Sequence, residues 1–352
     1  MEQERLEKLE KSIQNMKDKK SRIYLLVQDT RGNAKASISY IYNLGMALFT
    51  AGYNPIMLHE KPDYVGVSSW LSEDFMSLPH RAIEGENLEV SPEDFIVIPG
   101  LYGFVMSQIS KLPCGKIVLS QAYDHVLETL QPGQTWSQLG FFKCVTTSET
   151  QKEYLESLMK NVSYDVLRPY ISDDFVKSEY PSKPIIAVHS RDQRESVNMI
   201  KSFYIKFPQY RWITFRDMRG IAQEDFSKFL KDSFVSVWVD NESAFGTYPL
   251  ESMVSKTPVI GKVPNMIPEW MTEENGIWTQ NFNEIVDIIA NYIQNWLEDN
   301  VSEGLYEGMK KTVSELPTKE SFYEKATTIF GEFINTRLKS FEEQLNKLET
   351  IE

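Results

Sequence analysis

A chain of 352 residues with 50 acidic against 37 basic side chains, a formal charge of −13, is long enough for two domains of about 150 residues. It is too acidic to hold nucleic-acid phosphates or an anionic lipid face by bulk charge. Hydrophobic residues at 41% and charged residues at 25% exclude a disordered chain, and no apolar run approaches the roughly 20 residues that cross a bilayer. The opening Met1-Glu2-Gln3-Glu4-Arg5 is charged and no apolar stretch follows it, which is not a secretory leader. Cys114 and Cys144 are too few for a disulfide framework or a zinc site, and the expectation is buried thiols in a cytoplasmic protein.

From the start of the chain, Leu6, Leu9, Ile13 and Met16 recur at three- and four-residue steps among charges, predicting a helix over residues 1–20. Ile23–Val27 is a continuous apolar run of the buried-strand kind, followed by the loop Asp29-Thr30-Arg31-Gly32-Asn33 and a helix from Ala36 to Ala51 that Gly52 ends. Strands are expected at Asn54–Leu58, Phe95–Pro99, Lys116–Leu119 and Lys143–Thr147, with a helix at Thr150–Met159. This is a doubly wound α/β domain over residues 21–168, of the type that binds ligands at the carboxyl ends of its strands. A polar, proline-punctuated linker over 169–184 contains Asp173-Asp174 and Tyr180-Pro181-Ser182-Lys183-Pro184. The alternation then resumes over 185–320. Strands are expected at Ile185–Val188, Arg211–Phe215, Phe234–Val239 and Pro258–Gly261, with helices at Glu195–Phe207, Gln223–Leu230 and Pro249–Val254. Two such halves joined by one linker predict a cleft between them. Residues 321–352 carry a long amphipathic pattern from Phe322 to Leu348 that approaches a heptad, read as a packed helix or as a coiled coil between the chain ends or between subunits.

The most informative stretch runs from Asp240 to Trp278. Val239 ends a strand, and Ala244-Phe245-Gly246-Thr247 forms a turn just before a helix. Gly246 lets backbone approach a ligand closely, and the amides at the helix start suit an anion or a phosphate. Glu251, one turn further, is placed to accept hydrogen bonds from sugar hydroxyls.

Taken together, Phe245-Gly246, Pro249-Leu250-Glu251, Thr257-Pro258-Val259-Ile260-Gly261, Ile267-Pro268-Glu269 and Asn275-Gly276-Ile277 resemble the C-terminal signature of retaining GT-B glycosyltransferases. The resemblance implies two Rossmann-like domains facing across a cleft, with extra terminal helices. It further implies transfer of a hexose from a UDP- or GDP-linked donor without a metal or other cofactor. Its second signature glutamate, which binds the nucleotide ribose, falls on Glu251. The first falls on Ser243, a departure, with Glu242 one place away. Arg191 stands where the family grips the donor diphosphate, Arg194 is a substitute for the usual lysine, and Phe215 ends the strand before the base-contacting loop. Gly246 and Thr247 would supply amides, with Phe245 beside them. In the first half, Gly32 lies in the loop that the family sets against the donor phosphates. Asp124 and His125, after a core strand, are candidates to orient an acceptor hydroxyl or take its proton. The ordinary role for Asp124 is a polar helix start. His59, His80 and His189 have no metal-ligand spacing and are expected to be structural.

The acceptor is open between glycan, lipid-linked, protein and small-molecule classes, and the terminal helices leave room for a homo-oligomer. A second reading is a degenerate GT-B fold serving as a binding or structural component, motivated by Ser243. A third, a sugar transferase acting on DNA bases, runs against the acidic charge.

Overall fold

The computed structural model describes residues 2–85, 88–177, 179 and 183–349. Met1 and residues 350–352 of the expected terminal helices, and Ser178 and Tyr180-Pro181-Ser182 of the expected linker, lie outside the described residues. The chain forms two compact units. The first collects residues 2–147, 152–167 and 320–349, and the second residues 148–151 and 168–319.

The first unit is built on β1 (Arg22–Leu26), β2 (Asn54–His59), β3 (His80–Ala82), β4 (Phe95–Pro99), β5 (Gly115–Ser120), β6 (Lys143–Thr146) and β7 (Ser163–Val166). All pair in parallel, in the order β3-β2-β1-β4-β5-β6-β7. The apolar runs made this arrangement legible, because a strand covered by helices on both faces has no polar side to alternate. All five residues of β4 are buried. Helices α1 (Glu2–Lys17), α2 (Ala36–Thr50), α3 (Gly103–Ile109), α4 (Asp124–Thr129) and most of α5 (Glu149–Leu158) belong to this unit. At the end of α2, Gly52 takes φ +80° and donates its N–H to the Phe49 carbonyl, as the sequence suggested.

The second unit holds β8 (Lys183–Ser190), β9 (Thr214–Asp217), β10 (Ser233–Val239), β11 (Val259–Lys262) and β12 (Ile277–Thr279), again parallel, in the order β12-β11-β10-β8-β9. Between them run α6 (Gln193–Lys206), α7 (Gln223–Asp232), α8 (Thr247–Val254), α9 (Ile285–Leu297) and α10 (Glu303–Ser314). The strand expected from Arg211 starts only at Thr214. Pro208–Tyr210 makes one tight helical turn and the Ile213 N–H closes onto the Tyr210 carbonyl, so Arg211 and Trp212 are turn residues. Helices α9 and α10 and the short strands β3, β7 and β12 were not anticipated.

The last helix, α11 (Lys319–Glu349), packs in the first unit. Phe322, Ile329, Phe330, Phe333 and Phe341 are its buried face. Polar contacts fix it too: the Arg337 guanidinium donates to the carbonyls of Pro92 and Pro113, and Lys17 of α1 pairs with Glu342 at 2.8 Å. On the other side of α1, Ser12 and Asn15 donate to the buried Glu93 carboxylate at 2.9 Å each. No helix among the described residues is long and apolar enough to cross a membrane.

Candidate functional site

Each sheet changes winding direction once. In the second unit the strands in order of sequence give a 2-1-3-4-5 arrangement, whose reversal falls between β8 and β10. The loops leaving two such strands diverge to opposite faces and leave a crevice at their carboxyl ends. That crevice is where ligands of open parallel sheets bind, and its walls here are residues 189–194 and 240–251.

Its framework is aromatic. Trp238, buried in β10, sits in a triad with Trp270 and Trp278, ring centroids 6.1 to 6.5 Å apart. The Trp270 indole N–H donates to the Phe245 carbonyl at 2.6 Å and so clamps the turn before α8. Gly246 occupies that turn with φ +73°, and a Cβ there would lie 2.9 Å from the Trp238 ring. Both restrictions select glycine.

Many of the letters that carried the sequence resemblance serve this framework. Phe245 has its ring in the core. Asn275, fully buried, donates to the Trp270 carbonyl and to Thr312 Oγ1 at 2.6 and 2.8 Å. A Cβ on Gly276 would lie 2.3 Å from Trp278. Glu269 accepts from Arg168 Nε at 2.7 Å.

The chemistry is left to fewer groups. Glu251 projects from the second turn of α8, and no hydrogen bond or ion pair reaches its carboxyl group among the described residues. Burial pushes it up to about 8. Thr247 and Tyr248 open α8, where the first amides of a helix have no acceptor within it, and Pro249 supplies none. Ser243, which stands at the place of an expected glutamate, accepts the Gly246 N–H at 3.2 Å, so its hydroxyl braces the turn.

Arg191 leaves β8 and is paired with the Glu242 carboxylate and with Asp240, at 3.5 Å for the latter. Arg194 is exposed in the first turn of α6 and makes no ion pair among the described residues. Phe215 packs edge-on against Phe203 and Tyr204 within the unit's core rather than standing in a loop. The loop beyond β9 is Met218-Arg219-Gly220, with Gly220 at φ +67°. Burial alone would raise Asp217, but hydrogen bonds from Arg219 outweigh it and hold the carboxylate below its ordinary value.

One residue beside this group was expected from the sequence to be structural. His189, next to Arg191, stacks on Tyr248 with ring centroids 4.8 Å apart, and its Nδ1 is buried without a partner. Burial lowers it to about 4, against the opposing pull of Asp240 and Asp217, so it is neutral at physiological pH. No spacing rule flags a histidine that enters a site by strand register, here opposite Trp238.

The first unit has its own reversal, between β1 and β4. Gly32 lies at the β1 exit with φ +85°, in a turn closed by Asn33 N–H onto the Thr30 carbonyl. The turn is tethered through Arg31, which bridges Asp29 and Asp63 at 3.3 and 3.1 Å. At the β5 exit Asp124 and His125 begin α4. Oδ1 of Asp124 is buried and has no hydrogen-bond partner. His59 and His80 share a 2.9 Å hydrogen bond and stack beneath Tyr64. Among the described residues no three His, Cys, Asp or Glu side chains converge as a metal site. A cavity of about 760 Å³ in the second unit lies away from the strand exits, at the amino end of β12, among Gly276, Asn300, Glu307 and Lys311.

Three solved structures are similar to this chain over most of its length. Sucrose-phosphate synthase from Thermosynechococcus elongatus matches with a TM-score of 0.64 at 14% identity, covering 90% of this chain and all of that one. HepE of Anabaena, in complex with UDP-glucose, matches at 0.55 and 11% identity, covering 93% and 99%. The catalytic domain of starch synthase IV from Arabidopsis thaliana, bound to ADP and acarbose, matches at 0.54 and 11%, covering 91% and 99%. At these identities the likeness is one of fold, and the fold is that of the GT-B glycosyltransferases. No protein-family model and no curated protein matches the sequence.

Proposed function

We propose that the chain is a cytoplasmic glycosyltransferase that binds a nucleoside-diphosphate sugar at the β8/β10 crevice and transfers the hexose to an acceptor hydroxyl. The observation that carries this reading is Glu251. Its carboxyl group is partly accessible to solvent at the crevice, has no hydrogen-bond partner among the described residues, and is desolvated enough to be raised, so it stands open to a ligand that supplies the bonds. The vicinal hydroxyls of a ribose are two donors at the right spacing for one carboxylate. Beside it, the opening amides of α8 suit a phosphate, and Arg191 and Arg194 suit the diphosphate that departs during transfer. That two similar folds were solved with UDP-glucose and with ADP is in keeping with such a donor.

In this reading the leaving group is neutralised by guanidinium and helix amides, so the transfer proceeds without a metal, and with retention at the sugar carbon as the resemblance implies. Asp124, with its unpartnered oxygen, orients the acceptor hydroxyl, and His125 stands next to it. The acceptor is a glycan, a lipid-linked sugar, a protein or a small molecule. Copies of the chain associate, if at all, through α1 and α11, which removing residues 340–352 and measuring mass in solution would test.

One observation favours the second reading, a degenerate GT-B fold serving as a binding or structural component. The Ser243 hydroxyl is committed to the turn and offers no acid to the donor sugar. Titration with UDP, GDP, ADP and CMP followed by calorimetry separates the cases. Saturable binding of one nucleoside diphosphate, lost in Glu251→Ala, supports a donor site, and hydrolysis or transfer of the matching sugar donor supports turnover. No binding by folded protein removes the transferase reading and favours the degenerate fold.

A further inference from the structure

Three arginines stand at the exits of β8 and β9, and two are closed by carboxylates. Asp217 takes Arg219, while Glu242 and Asp240 take Arg191. The second arrangement is built by the backbone. Asp240 Oδ1 accepts the N–H groups of Glu242 and Ser243 at 2.9 and 3.2 Å, a side-chain turn that fixes where Glu242 begins. Next to it, Lys262 Nζ donates to Asn241 Oδ1 at 2.6 Å and holds the other side of the same turn. Glu242 therefore meets Arg191 across the reversal point of the sheet, with Asp240 as the buried half of the pair and Glu242 as the exposed half. Of the three, Arg194 is left without an ion pair among the described residues.

Resting on the donor-site reading, we propose that Glu242 is a specificity-determining residue that acts as an internal stand-in for the second phosphate of the donor. Its carboxylate occupies the guanidinium fork that a diphosphate needs, so ligand binding at Arg191 is an exchange of anions. A nucleoside reaches Glu251 without touching this pair and gains nothing from the exchange. A nucleoside diphosphate carries a second phosphate to the β8 exit, offers Arg191 two oxygens and more than one negative charge, and releases Glu242 to water. Both side chains are nearly half exposed, at 45% and 43%, so the pair is weak enough to exchange. Asp240, at 7% exposed, stays in place and keeps Arg191 oriented during the swap.

The test compares a nucleoside with its diphosphate, using whichever base the wild type binds, by calorimetry in wild type, Glu242→Gln, Arg191→Ala and the double variant. Removing the competing charge from an exposed pair tightens diphosphate binding by about 2–5-fold in Glu242→Gln. Nucleoside affinity stays level, and the gain vanishes on the Arg191→Ala background, which a double-mutant cycle reads as coupling. Unchanged or weaker diphosphate binding in Glu242→Gln overturns the inference while leaving the donor site standing. So does an equal gain for the nucleoside. Should no variant and no wild-type sample bind any nucleotide, the donor site and this inference fall together.

Discussion

The two units solve one geometric problem, a loop at the reversal of a parallel sheet, by different physical means. At the β8/β10 exit the loop is set by short-range constraints. Gly246 at positive φ fits under Trp238, the Trp270 indole clamps Phe245, and Asn275 anchors the segment behind. At the β1 exit the Gly32 turn is instead tethered by ion pairs of Arg31, to Asp29 within the loop and to Asp63 further along the chain, at the surface. The first kind of loop is held by shape and resists salt and substitution of charges. The second is held by exposed ion pairs, which contribute little and are screened by salt.

The largest expected effect strikes the rigid loop. Gly246→Val adds a side chain at φ +73° and 2.9 Å from a buried tryptophan, for a loss of about 2–5 kcal/mol from left-handed strain and overpacking together. Urea unfolding measures it, and a variant within 1 kcal/mol of wild type would show that the clamp yields. Arg31→Ala at the other loop should change stability by less than about 1 kcal/mol in the same assay.

Turnover separates the units in the opposite sense. Asp124→Asn is expected to lower the transfer rate at least about 100-fold while leaving nucleotide affinity unchanged. Glu251→Ala is expected to weaken nucleotide binding about 10-fold or more through lost hydrogen bonds to the ribose. If Asp124→Asn loses the nucleotide instead, the assignment of acceptor chemistry to the first unit fails.

The smallest effect is one of pH. Glu251 has an unfolded value near 4.5 and a folded value of about 8, so the folded chain holds one more proton between those limits and stability falls as pH rises through that window. Glu251→Gln should flatten this slope. Glu251 is partly exposed and solvent discounts the shift, so the variant's melting temperature should match wild type near pH 4 and exceed it at pH 8.5 by about 2–4 °C, the equivalent of ~1 kcal/mol. His189 and His59 work in the other direction. Each is lowered to about 4, so stability is lost as pH falls from about 6.5. Thermal melts across pH 4 to 9 resolve the two slopes.

Legibility in the sequence follows the same division. Continuous apolar runs gave β1, β4 and β10 within a residue or two, because burial on both faces leaves a pattern that no neighbour needs to complete. At three residues β3 and β12 are too short to carry one, and β7, Ser163–Val166, is only partly buried and mixes polar with apolar side chains. The helix α9 does carry an apolar face, with Ile285, Ile289, Tyr292 and Ile293 buried at three- and four-residue steps. At the site, Gly246 and Glu251 stood out since a turn followed by a helix start is a local signal. The ion pair of Arg191 with Glu242 is 51 positions apart and exists only through the pairing of β8 with β10. His189 entered the same way, by register. Phe245 and Asn275 were legible as letters but not as buried supports, since a motif records which residues recur together and not which of them face a ligand.

The return of α11 to the first unit has a consequence for synthesis. The first unit leaves the ribosome without one of its packing faces, and 152 residues of the second unit, 168–319, are translated before Phe322 and Phe330 arrive. At about 5–20 residues per second that is an interval of roughly 8–30 s, long enough for a small domain to fold. The second unit, apart from four residues, is continuous and has all its strands once residue 279 has emerged. The order of completion in the cell is therefore expected to invert the order of the chain, with the nascent first unit waiting, a face open to chaperones, for its last helix.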